Sequence, residues 1–140
     1  MRQCLTEAFT PYRSGYTAEM FENTVPSADG LEKRSSTMII WVATSSGRIV
    51  GTIAAGTTGS QTGHLRGMAV VSAFHGCGVA PQLLRTAEAE LRRLGCVTVT
   101  LDTTALLHRA MAFYEKQGYR RSGARHSMLG MELIEFHKTL

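Results

Sequence analysis

The sequence predicts an α/β (α+β) fold with a mixed central sheet flanked by helices, and three observations carry that prediction. Val97, Val99 and Leu101 alternate with Thr98, Thr100 and Asp102, the period of a half-buried strand. Leu84, Ala87, Leu91 and Leu94 form a single apolar stripe at helical spacing, as do Leu107, Ala110, Met111 and Tyr114. Two compact apolar runs, Met38–Ala43 and Ile49–Ala54, flank Ser45-Ser-Gly47 and read as a hairpin of buried strands.

The remaining elements follow in chain order. Leu5, Ala8, Phe9 and Tyr12 fall at helical spacing, and Thr17 caps a second short helix carrying Met20, Phe21 and Val25. Pro26–Gly30 reads as a turn and the polar stretch Glu32–Thr37 as a loop. Leu65–Val71 forms a third strand, interrupted by the glycine-bearing segment Phe74–Ala80. Pro81 suits the first turn of the helix that follows, where its missing N–H has no partner to lose, and Gly95 suits its end. Tyr119–Ser122 and Met131–His137 read as closing strands joined by a loop holding Gly123 and Arg125.

Length and composition narrow the function classes. The 140 residues suit one domain, residues 1–140, able to bury a core without disulfides. No apolar run of membrane-spanning length is present, and the first seven residues lack the apolar stretch of a secretory signal, so a cytoplasmic protein with no membrane partner is expected. Cys4, Cys77 and Cys96 are odd in number and lack paired metal-site spacing, which points to free thiols and no metal. Charge is unevenly spread. Residues 1–32 sum to −3 and residues 66–125 to +5, a division that suits a polyanion on one side and a cation approaching from the other. The basic half has no run interleaved with aromatics, so nucleic acid is not the expected partner.

The segment from Leu65 to Leu94 has the makings of a phosphate cradle. Gly76 and Gly78 let the backbone turn its amides inward, and the helix beginning near Ala80 adds the positive end of its dipole. A tight strand-to-helix turn would read the same way, so this loop needs a second signal. Phe74-His-Gly-Cys-Gly-Val-Ala80, after Val70 and Val71, resembles the acetyl-CoA loop of the GNAT superfamily of N-acetyltransferases. Ala110-Met-Ala-Phe-Tyr-Glu-Lys-Gln-Gly-Tyr119 resembles the second signature of that superfamily. The resemblance covers roughly residues 38–122, and it implies direct transfer of an acetyl group from acetyl-CoA to a primary amine of a small molecule or protein.

Carried over by position, the resemblance implies that the amides of Cys77, Gly78, Val79 and Ala80 hold the pyrophosphate. His75 and Gly76 open the loop, His75 standing where Gln or Arg is usual, and Gln82 is recruited because Pro81 lacks an amide. Backbone groups of Met68, Ala69 and Val70 are expected to pair with the pantetheine arm. Tyr114 matches the family's proton donor to the departing thiolate, a phenol protonated at neutral pH. A lysine-like amine is only about one part in a thousand neutral near pH 7.5, a cost of about 4 kcal/mol, so a base is needed. His64 stands at the offset of the superfamily's catalytic glutamate, with Asp102 and Glu22 as alternatives.

Two rival readings remain at this stage. One is a catalytically silent acyl-CoA-binding sensor or scaffold; the other is a nucleotide-binding regulatory domain, disfavoured because no Walker lysine follows the glycine loop. The superfamily's usual first strand has no counterpart here. The edge of Met38–Ala43 is therefore expected to be covered by a second copy in a homodimer, or by Arg2–Leu5 extended as a short strand.

Overall fold

The computed structural model describes all 140 residues. Helix α1 (Arg2–Phe9) leads through a 3-10 turn (Thr10–Gly15) to α2 (Ala18–Thr24) and α3 (Ala28–Thr37). Strands β1 (Ile39–Ser45), β2 (Arg48–Thr57) and β3 (Thr62–Val70) precede α4 (Val79–Arg93), β4 (Thr98–Thr103), α5 (His108–Lys116), β5 (Arg120–Met128) and β6 (Met131–Thr139). The six strands form one sheet in the order β1-β2-β3-β4-β6-β5, antiparallel throughout except for the parallel pair β3 and β4.

The two faces of the sheet carry separate cores. Ile53, Leu65, Val99 and Leu101 pack with Leu83, Leu84, Ala87 and Leu91 of α4, and with Met111 and Tyr114 of α5. The neighbouring, oppositely facing positions Val50, Ala69 and Val71 pack with Cys4, Leu5 and Val25 from the N-terminal helices. Because Leu65 and Leu101 face α4, His64, Arg66, Thr100 and Asp102 must face the N-terminal helices.

Three readings of the sequence are corrected. The segment 26–37 is not turn and loop but α3, started by the Ser27 hydroxyl accepting from the Gly30 amide at 3.2 Å. Its polar composition hid it, since among its residues only Arg34 is buried and no apolar stripe announces a helix. The first closing strand runs on to Met128, because β6 supplies a backbone partner while every residue from Arg120 to Ser127 stays exposed and shows no alternation. Arg2–Leu5 is helical, so β1 remains an uncovered edge, with Ile39 42% and Val42 43% exposed.

Candidate active site

The sheet opens where the glycine loop begins. The β3–β4 ladder ends at the pair Leu65 and Leu101, yet β3 continues to Val70, so its later residues lose β4 as a partner. The Val71 amide donates to the Val50 carbonyl at 2.9 Å on the β2 side. By strand alternation the Val70 peptide groups then point the other way, into the opening. Beside this opening lies a cleft of about 820 Å³ lined by Met68, Ala69, Val70, Gly76, Gly78, Val79, Ala80, Tyr114, His64 and Asp102.

The loop has unengaged amides and open space beside them. Gly76 and Gly78 have φ of 76° and 82°, the left-handed region, and a Cβ added to either would meet nothing within 4 Å. The amides of Gly76, Gly78, Val79 and Ala80 donate to no backbone carbonyl, and no side chain caps α4. Four unengaged donors and a positive helix end thus border the cleft, which fits a pyrophosphate-bearing group. Arg109 and Lys116, also lining the cleft, supply further positive charge.

Other expected loop contacts have different roles. The Cys77 amide points to the Phe74 carbonyl at 3.4 Å, and the exposed Cys77 and Gln82 lie outside the cleft lining. His75 lines the cleft, but its Nε2 donates to the Val70 carbonyl at 2.9 Å, clasping the loop to β3 rather than reaching out as a phosphate donor.

At the other end of the cleft, β3 and β4 set His64 beside Thr100 and Asp102. The Thr100 hydroxyl meets His64 Nδ1 at 2.9 Å and lies 3.4 Å from the Gly63 carbonyl, which orients the ring in the cleft. Nε2 lies 3.9 Å from Asp102 Oδ2. Burial lowers the His64 pKa below its ordinary value, with Asp102 opposing that shift, so the ring is a neutral proton acceptor at pH 7. Glu22 lines a different, more polar depression with Glu19 and Lys33, and is not brought to Tyr114.

Tyr114 is buried on α5, its ring 5.7 Å from Tyr119 and 6.4 Å from Phe136, with its edge on the cleft. Burial raises its pKa well above the ordinary phenol value. It therefore belongs both to the core and to the cleft wall.

The sequence reading missed four participants. His126 reaches across β6 to place Nε2 3.3 Å from Asp102 Oδ1. Arg34 and Arg66 line the same cleft, and Asn23 holds both: its carbonyl accepts from Arg34 Nη2 and its side-chain oxygen from Arg66 Nη2, each at 2.9 Å. Burial, followed by the neighbouring Arg66, lowers the Arg34 pKa to about 10. None of these pairings has a local sequence signal, because the partners lie on different elements.

A sheet that splays at a glycine loop with uncommitted amides defines an α/β protein with a cleft that a phosphate-bearing group fits. The chain belongs to the acetyltransferase (GNAT) family, whose model matches residues 1–119. It is 33% identical over 88 residues to the probable N-acetyltransferase family 8 member 5 of Mus musculus, covering 59% of this chain and 39% of that protein. It is 29% identical over 102 residues to N-acetyltransferase 8B of Homo sapiens, covering 69% and 45%. The chain thus spans less than half the length of these curated relatives. Its fold resembles the PaiA N-acetyltransferase of Thermoplasma acidophilum in complex with coenzyme A, with TM-score 0.79, 17% identity, and 99% and 90% of the two chains covered.

Proposed function

We propose that the chain is an acetyl-CoA-dependent N-acetyltransferase that moves the acetyl group directly to a primary amine. The observation that carries this reading is one cleft lined both by the open amides of the Gly76–Ala80 loop and by His64 and Tyr114. Acetyl-CoA, when bound, supplies a thioester carbonyl that an amine can attack.

The residues divide the work. The amides of Gly76, Gly78, Val79 and Ala80 hold the pyrophosphate, and the stretch of β3 beyond the β4 ladder, Met68 to Val70, aligns the pantetheine arm. His64 Nε2 takes a proton from the amine, whose positive charge Asp102 attracts. As the C–N bond forms and the C–S bond breaks, Tyr114 offers its proton to the sulfur, and the extra proton still carried by the new amide nitrogen then restores the phenol. The dry surroundings that keep the phenol protonated also raise the proton affinity of a thiolate released beside it.

Acetyl-CoA is expected to raise the melting temperature of the purified chain, because a ligand of the folded state stabilises it by mass action. Gly78→Glu puts a charged side chain at a left-handed position in the cradle and should abolish that rise. An unchanged rise in the variant would remove the loop from the mechanism. A wild-type chain that binds acetyl-CoA yet releases no thiol with any amine would favour the sensor reading.

A second copy is the partner proposed for the bare β1 edge, pairing strand to strand over Ile39 and Val42. Light scattering on wild type and Ile40→Lys tests it. A wild-type monomer at micromolar concentration would defeat the pairing.

A further inference from the structure

Two guanidinium groups stand at the acceptor end of the cleft with no carboxylate in contact, Asp102 acting on Arg66 only from a distance. Arg34 and Arg66 both line it, both are held by Asn23, and neither has a carboxylate within 4.0 Å. Arg34 is 8% exposed, and its Nη1, packed where a Gly67 Cβ would come within 2.9 Å, has no hydrogen-bond partner. Burying like charges together without an anion is costly, and leaving their donors unused adds to the cost. The end of α2 explains one Arg34 bond, since its carbonyls favour a cation, but it explains neither the free Nη1 nor the remaining donors of Arg66.

The same region holds unmatched groups of both polarities. Asp102 is the sole acid lining the cleft, and its Oδ1, like Thr103 Oγ1, has no hydrogen-bond partner, the nearby His126 being at ion-pair distance but not aligned. His64 and Arg66 project from the same face of β3 two residues apart, a separation of about 7 Å. A cationic group would sit at His64 and Asp102, and an anionic one at Arg66.

We infer that the acceptor is an amine that also carries a carboxylate, of amino-acid type, with the amine at His64 and Asp102 and the carboxylate on Arg66. This rests on the acetyltransferase reading. Arg66, partly exposed, is the contact group; Arg34, buried behind it, is a positioning residue that strengthens the positive field. Polyamines and other polycations would add charge to an uncompensated cationic pair and are disfavoured.

The test compares matched acceptors by thiol release from acetyl-CoA on the whole chain: amino acids, their amides, the corresponding decarboxylated amines, and aminoalkyl phosphonates. The carboxylates are expected to lead their amides by at least about 10-fold in kcat/KM, as a charge-assisted bond implies. In Arg66→Gln the ratio should fall toward one, and in Arg66→Lys part of it should return. Neutral amines or polycations leading the panel would overturn the inference, and a lead by phosphonates would overturn the carboxylate assignment. If no acceptor turns over, melting shifts with coenzyme A plus N-acetyl amino acids or N-acetyl amines decide it; equal shifts overturn it. Failure of acetyl-CoA itself to shift the melting temperature would instead sink the acetyltransferase reading.

Discussion

Two polar clusters buried in this protein are finished to different degrees. On the α4 face, Glu88 accepts from the Tyr119 hydroxyl at 2.8 Å and from Lys138 Nζ at 3.0 and 3.2 Å, and Lys138 also lies over the Tyr119 ring. On the N-terminal helix face, Arg34 Nη1 and Asp102 Oδ1 are buried without hydrogen-bond partners. The first cluster is complete within the chain and ties α4 to β6. The second leaves donors and an acceptor unused within the chain. The satisfied cluster joins elements, while the unsatisfied Arg34 and Asp102 groups lie on the wall of the cleft.

The largest effect expected from this contrast is on stability. Glu88→Ala leaves a mostly buried ammonium and a buried hydroxyl unmatched and should cost about 3 kcal/mol in chemical denaturation. The acetyl-CoA melting shift should survive in that variant. A cost below about 1 kcal/mol would erase the contrast, because completeness would then confer nothing.

Tyr114→Phe probes the cleft wall with an effect on rate. Thiol release at saturating substrate should fall about 100-fold, while stability and cofactor affinity hold, since only the departing sulfur needs the hydroxyl. Equal turnover would make Tyr114 a core residue alone.

Arg34→Met sharpens the comparison from the other side. Removing an uncompensated buried charge while keeping chain length should leave stability within about 1 kcal/mol of wild type, even with the Asn23 bond lost. A loss as large as that of Glu88→Ala would make Arg34 a structural member like Glu88.

The smallest expected effect is a pH dependence. Burial lowers the folded-state pKa of His64, so as pH falls the unfolded chain takes up this proton before the folded chain does. Stability should therefore decline as pH falls through about 6.5, and this contribution should be flat above it. Melting temperatures at pH 7.5 and 5.5 should differ less in His64→Gln than in wild type. An equal drop in both would detach His64 from the acid response.

The sequence by itself determined the elements whose signals are local. Alternation across 97–102, the apolar stripes of α4 and α5, the hairpin of β1 and β2, and the glycines of the phosphate loop each depend on residues within one turn or one strand. Tyr114 and His64 came forward only through the resemblance, Tyr114 from the Ala110–Tyr119 signature and His64 from its offset before the loop. Only the tertiary structure decided the rest. Helix α3 is polar nearly all round and is recognisable from Ser27 capping and the inward turn of Arg34, while the exposed β5 exists because β6 pairs with it. The joining of Asn23 to Arg34 and Arg66, and of His126 to Asp102, spans up to 43 residues of chain. Whether a buried charge is matched depends on what every other element leaves beside it, and no local pattern carries that information.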